Sequence, residues 1–340
     1  MILKLFIAIS AAVSIQSCLA LDLSAYQHAD GAITVHSQGD NVDPYFAMKA
    51  LWASRQLGDP APLESLSWIG WLMPRQMEDG SFARYCEKDG EWRECERSDA
   101  DDSMLALWME LLYETAPHHR LPPDWAASAN RAEQALKSLR NPVTGLYRTG
   151  FDSKESLLMD NVEVYEALHR IGKILEESKD RVRARRFLKL ARDLKSSMSR
   201  VFRADRNGIL RWSTDDHSRG TFYPYAVADL YPWMHGMDTK EFGRMESWNE
   251  WLKQYGKIWL SRSGDNFPWG LVALLALREH SYRYVDGWMA NATELRKGEN
   301  WDVLEEAVLQ GLARKGLKLP HIEKVSFASR DTKRVGNVEE

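Results

Sequence analysis

Apolar residues fall along the chain in two alternating kinds of segment. "DPYFAMKALWAS", "SMLALWMELLYE", "FYPYAVADLYPWM" and "NFPWGLVALLAL" are apolar nearly all round, the pattern of a helix buried on every face. Between them lie segments with one heavily charged face. In "DRVRARRFLKLARDLKSSMSRVF", Phe187, Leu190, Leu194, Met198 and Val201 form a single helical stripe. Its basic face (Arg181, Arg185, Arg192, Lys195) reads as solvated surface.

Four turn-like segments recur: "EDGSFARY", "PVTGLYRTG", "DRNGILRW" and "RSGDNFPWG". Their glycines, Gly80, Gly145, Gly208 and Gly264, are spaced by roughly 60 residues, a period that fits two helices and a turn. Each glycine follows a helical pattern, where it is the expected stop signal. Phe82, Tyr147 and Leu210 stand two places beyond the first three. Fully buried and half-exposed helices in alternation describe two concentric rings. About eleven helices can be placed, the inner ones starting near residues 43, 100, 160, 221, 267 and 300. The fold class expected is all-α, an (α/α)6 toroid over residues 43–320, with short β-turn loops at one rim. "AITVH" is the one strand-like stretch outside those turns. It falls in an extended segment, 21–42, and residues 321–340 read as a polar tail.

Composition adds little beyond exclusions. The chain has 340 residues, 44% of them hydrophobic and 28% charged, enough for a substantial core. A net charge of -4 gives no basic footprint for nucleic acid. The N-terminus is more telling. In "MILKLFIAISAAVSIQSCLA" one lysine precedes an apolar run too short to span a bilayer, followed by small residues. This reads as a secretory signal over residues 1–20, cleaved after Ala20. A lipid anchor at Cys18 is the alternative. No second apolar stretch suggests a membrane span. Without Cys18 two cysteines remain, Cys86 and Cys95, flanking "EKDGEWRE" with its Asp89-Gly90 turn signal. In an oxidising compartment they are expected to form a disulfide worth about 2–3 kcal/mol. The expected product is an exported monomer, periplasmic or extracellular.

In such a toroid the inner helices all begin at one rim. Their starts carry Asp43, then Asp99, Asp101 and Asp102, then Asp160, then Asp215 and Asp216, then Asp265, then Asp302. Aromatic residues crowd the same segments: Tyr45, Trp92, Trp212, Tyr223, Tyr225 and Trp269. An acidic, aromatic-lined funnel suits a carbohydrate chain, because rings offer flat apolar faces with polar edges. Capping alone accounts for a single aspartate such as Asp43 or Asp302. It does not account for the run Asp99–Asp102, since one aspartate caps and its neighbours repel. Asp160 and Glu163 in "LLMDNVEVYEAL" are open to both readings. Glycoside hydrolysis needs two carboxyl groups flanking the scissile bond, one of them protonated. Asp101 or Asp102 is expected to supply one. Asp265, Asp43 or Asp160 would supply the other, in that order for a base. Asp99, Tyr45, Trp92, Trp212, Tyr223, Trp269 and Glu163 would bind sugar. No metal or organic cofactor is implied.

With these residues the chain resembles the six-hairpin glycosidases over most of residues 40–315, and within them glycoside hydrolase family 8. That family carries a D-x-D-x-D run at the head of an inner helix. "SDADDSMLAL" matches it at Asp99 and Asp101, with Ser103 in place of the third acid. The family's proton donor lies in an E-G-x-x-Y-x-M stretch, and "DPYFAM" offers Asp43 there. "GDNFPWG" echoes a late Y-D-A-x-R-x-P-W-R motif, with Asp265 in the place of its acid and no arginines. Asp160-Asn161 resembles the "DN" of unsaturated glucuronyl hydrolases. The resemblance implies hydrolysis of a poly- or oligosaccharide.

Three other readings compete. Asp99-Ala100-Asp101-Asp102 is a literal D-x-D-D, the proton-donating motif of class II terpene cyclases, but those are longer, intracellular enzymes. A polysaccharide lyase could use "DDHSRGTFYPY", with His217, Arg219, Tyr223 and Tyr225 in one loop, although an acidic funnel repels a polyanion. A non-catalytic sugar-binding protein of an export system needs the aromatic funnel but not the acids. "NAT" at Asn291 matches a glycosylation acceptor in pattern only.

Overall fold

The computed structural model describes residues 20–204, 210–215, 220, 222–243, 248–296 and 298–315. Residues 1–19 of the expected signal 1–20, Cys18 among them, together with Gly208, Asp216, His217, Arg219 and the expected tail 321–340, lie outside the described residues.

The apolar-all-round segments form the inner helices: α1 (Pro44–Gln56), α3 (Asp101–Thr115), α5 (Leu158–Glu177), the short pair α7 (Tyr225–Ala228) and α8 (Tyr231–Met234), α10 (Gly270–Arg278) and α12 (Val303–Arg314). The amphipathic segments form the outer ones: α2 (Pro62–Leu72), α4 (Pro123–Leu139), α6 (Arg181–Val201), α9 (Trp248–Ser261) and α11 (Tyr282–Leu295). Among the described residues this gives eleven arms in alternation, the fourth inner arm being split between α7 and α8. Pro232 near the start of α8 removes a backbone donor at the point where one continuous helix would need it. Packing closes the ring. α3 lies between α1 and α5, α8 between α5 and α10, and α12 joins α10 back to α1.

Where a twelfth, outer arm would stand, the N-terminal segment lies against α12. Leu21, Leu23 and Tyr26 are buried, the Asp22 N–H donates to the Gln310 side-chain Oε1 while Gln310 Nε2 donates to Asp22 O, and Val303 N–H donates to Val35 O. "AITVH" is not a strand there; it contributes an isolated bridge, Gln27 to Ile33.

One loop is more than a turn. Between α2 and α3 runs a hairpin of β2 (Ala83–Lys88) and β3 (Glu91–Arg97), and β1 (Asn41–Val42), just before α1, pairs with β2 to complete a three-stranded antiparallel sheet. Cys86 and Cys95 staple β2 to β3, with Cα atoms 5.7 Å apart. The Gly80 and Gly145 turns both join an outer helix to the next inner segment. Gly80 has φ +90° and Gly145 φ +78°. A Cβ would lie 2.5 Å from Arg131 O in one and 2.5 Å from Ser197 Oγ in the other, so only glycine fits.

Candidate active site at the inner-helix rim

The heads of α1, α3 and α5 form one wall of the rim. Asp43 caps α1: Oδ1 accepts the Tyr45 N–H at 2.9 Å, and Oδ2 accepts from Arg84 Nε at 2.8 Å. Arg84 reaches in from β2 and also holds Asp99 Oδ1 at 2.6 Å and Glu96 Oε2 at 3.3 Å. Burial raises the Asp43 carboxyl above its usual range, and the Arg84 charge opposes the rise.

The two aspartates that open α3 point to different surroundings. Asp101 is anchored by its N–H on Thr149 O at 2.7 Å. Its carboxylate lies under the 150–151 turn, so close that a Cβ on Gly150 would be 3.3 Å from Oδ2. Burial pushes Asp101 up to about 6, against the Phe151 N–H. Asp102 is sealed from solvent. Oδ1 accepts the Ser103 N–H at 3.0 Å, and Oδ2 has no partner among the described residues. Burial first, and then the Asp160 charge, push it well above the carboxylate range.

On α5, Asp160 keeps partial access to solvent while lying deep among protein atoms, so water reaches it from one side. Burial, followed by repulsion from Glu163, Asp99 and Glu155, pushes it up to about 8; Lys49 opposes them. One turn on, Glu163 is sealed, with Oε1 3.0 Å from the Tyr45 hydroxyl and 2.8 Å from Lys49 Nζ. Lys49 is 0% exposed, and its ammonium stands 4.1 Å from the centre of the Trp52 ring. Glu163 Oε2, like Asp102 Oδ2, has no hydrogen-bond partner among the described residues. Burial drives the Tyr45 and Tyr231 phenols far above their usual range, with Glu163 adding to it.

The facing wall is aromatic. Trp269 caps α10 in a left-handed conformation (φ 55°), and its Nε1 donates to Asp265 Oδ2 at 2.8 Å. Asp265 Oδ1 accepts the Phe267 N–H at 3.1 Å. Tyr223 is 50% exposed and stacks on Trp269, centroids 4.9 Å apart at 30°. Burial, then Asp160, Asp265 and Asp99 in turn, push its phenol up, which sets this ring among acids from three parts of the rim. The rim is continuous past α10, since Glu305 in the first turn of α12 accepts the Gly270 N–H with both oxygens.

The rim thus brings together Asp43, Asp99, Asp102, Asp160, Glu163, Tyr45, Tyr223, Asp265 and Trp269, with Asp101 at its edge. Others stand apart. Trp92 donates its indole N–H to Asp30 at 3.0 Å and packs edge-on against Trp71, so it belongs to the hairpin and the N-terminal segment. Its nearness to Asp99 in sequence gives no hint of that, because the strand carries it elsewhere. Trp212, by contrast, stays at the rim, at the head of α5, where its carbonyl accepts the Leu158 N–H at 2.9 Å. Asp215 is exposed and accepts from Thr214 Oγ1 at 3.0 Å, and Tyr225 is buried in α7. Asp302 is a cap, accepting the Glu305 N–H at 2.9 Å. Asn161 is a structural pin: its amide accepts the Tyr147 N–H at 2.8 Å and donates to Tyr147 O and Leu157 O.

Three residues of the rim escape a reading of the sequence: Arg84, Lys49 and Tyr231. The available signal for Lys49 is a lone cation inside an apolar helix. For Arg84 and Tyr231 local sequence offers none. Among the described residues no group of three or more His, Cys, Asp or Glu is arranged to hold a metal ion, and no helix is long and apolar enough to cross a membrane.

The arrangement is an (α/α)6 toroid with acids at the inner-helix heads, and solved structures share that fold. No family model and no curated protein matches the chain. An alpha-amylase from Clostridium perfringens superimposes with TM-score 0.54 at 11% identity, over 86% of this chain and 95% of that one. Rex8A from Paenibacillus barcinonensis gives 0.53 at 13% identity, over 85% and 86%. A cellobiose 2-epimerase from Bacillus thermoamylovorans gives 0.53 at 11%, over 87% and 95%. At these identities the likeness establishes the fold.

Proposed function

We propose that the protein is an exported glycoside hydrolase acting on a poly- or oligosaccharide, with Asp160 as proton donor and Asp265 as the opposing base. The observation that carries the reading is Asp160 itself: solvent-reachable, and held protonated to about 8 by burial and by Glu163. A general acid must keep its proton at working pH, and this carboxyl does. Glu163 behind it touches no solvent and serves to hold that proton in place. Asp265 has each oxygen fixed by one donor and retains acceptor capacity for a water or sugar hydroxyl. Tyr223 and Trp269 offer a stacked platform between the two acids. The glycosidases among the structures of like fold support the class of reaction. The Cys86–Cys95 bridge supports an oxidising compartment.

Of the residues the lyase alternative would use, His217 and Arg219 lie outside the described residues, and Tyr223 is shifted the wrong way for a base: a raised phenol is harder to deprotonate. The test is Asp160→Asn and Asp265→Asn, one at a time, on a cleaved oligosaccharide. Each is expected to lower kcat by about 10²–10⁴-fold with affinity kept. The wild-type kcat/KM should fall above about pH 8, as Asp160 loses its proton. Turnover surviving in Asp160→Asn would remove it from the chemistry.

A further inference from the structure

The proposed reaction leaves one strongly built feature unused, the guanidinium of Arg84. The residue stands on β2 two places before Cys86, whose bridge to Cys95 closes the hairpin covalently. The β2–β3 register shifts between Arg84 and Tyr85, and such an irregularity re-aims a side chain. Here the guanidinium meets three carboxylates from different segments: Asp43 at 2.8 Å, Asp99 at 2.6 Å and Glu96 at 3.3 Å. The Asp43 side chain is 8% exposed and the Asp99 side chain 77%. An exposed pair contributes little by itself. A buried carboxylate left without its cation is costly.

Both arms of the contact lead toward Asp160. Asp43 holds the Tyr45 N–H at 2.9 Å, and the Tyr45 hydroxyl holds Glu163 at 3.0 Å. Asp99 directly precedes the Ala100–Asp101 turn into α3, whose next residue, Asp102, is fully buried in the first turn of a helix that packs along α5, the helix that carries Asp160. We infer that Arg84 is a positioning residue: it locks the head of α1 to the Asp99–Asp102 turn, keeping the heads of α1 and α3 beside Asp160 in register. This inference rests on the hydrolase reading. Lysine could not replace it, because a point charge does not reproduce a planar fork that bonds three oxygens at once.

The test compares Arg84→Gln, Arg84→Lys and the double variant Asp43→Asn/Arg84→Gln in the whole protein. A displacement of about 1 Å at a reacting group can cost about 10²-fold in rate. Arg84→Gln is therefore expected to lose about 10–100-fold in kcat with KM within about twofold, and Arg84→Lys to recover little of it. The double variant removes the orphaned charge, so its melting temperature should return toward wild type while kcat stays low. Recovery of kcat with stability in the double variant would reduce Arg84 to charge compensation and overturn the inference. Amide hydrogen exchange gives a reading independent of turnover. Residues 43–49 and 99–104 should both lose protection in the double variant. Unchanged exchange there overturns the lock, whereas lost protection in a protein that cleaves no sugar overturns the hydrolase reading alone.

Discussion

Replacing Asp160 by Asn should stabilise the protein at alkaline pH. In the folded chain the carboxyl is raised from 3.8 to about 8. The folded state therefore holds a proton that the unfolded chain gives up. By linkage, stability falls as pH rises from about 4 to about 8, and is intact below about 4, where both states are protonated. At about 1.4 kcal/mol per pKa unit, the ceiling on the penalty above pH 8 is about 6 kcal/mol. Asp160 is partly accessible, and Glu163 shares the repulsion, so solvent screening and relaxation bring the expected figure to about 2–3 kcal/mol. For a chain of this length that is about 3–5 °C in melting temperature. The assay is thermal unfolding of wild type and Asp160→Asn from pH 4 to pH 9. The two curves should nearly coincide at the acid end and separate by about 3–5 °C at the alkaline end, the variant being more stable. A gap that does not change with pH, or a variant less stable at pH 9, would refute the electrostatic account of Asp160.

Lys49→Met should cost about 3–5 kcal/mol in denaturant unfolding, because it leaves Glu163 buried without its cation; Lys49→Met/Glu163→Gln should recover most of that. Reducing Cys86–Cys95 should lower stability by about 2–3 kcal/mol. It should also lower activity in the manner of Arg84→Gln, measured as denaturant midpoint and kcat with and without dithiothreitol.

Much of the fold is written in local pattern. The inner helices begin at residues 44, 101, 158, 225, 270 and 303, within a few positions of the expected starts, because burial on all faces removes polar residues from the whole segment. The split of the fourth inner arm is a local effect of Pro232 that hydrophobicity does not register. The stapled sheet looked like a turn, since β3, "EWRECER", is mostly exposed and carries no apolar alternation. At the site, residue type at a helix head indicated which acids gather but not which way they point. Asp101 and Asp102 are neighbours in sequence, yet a helix sends them some 100° apart, one under the 150–151 turn and one inward, sealed from solvent. Asp43 was a candidate acid until Arg84, arriving from 41 residues away, occupied it. Such pairings are tertiary, and no spacing rule reaches them.

The central claim is that a carbohydrate chain is cut by water at the Asp160–Asp265 rim. Its most direct test is mass spectrometry of products after incubating residues 21–340 with neutral, amino and uronic polysaccharides, beside Asp160→Asn as control. The account predicts fragments that each carry one added water, absent from the control. Unsaturated fragments would contradict it in favour of elimination, and intact polymers that still bind would make the protein a carrier.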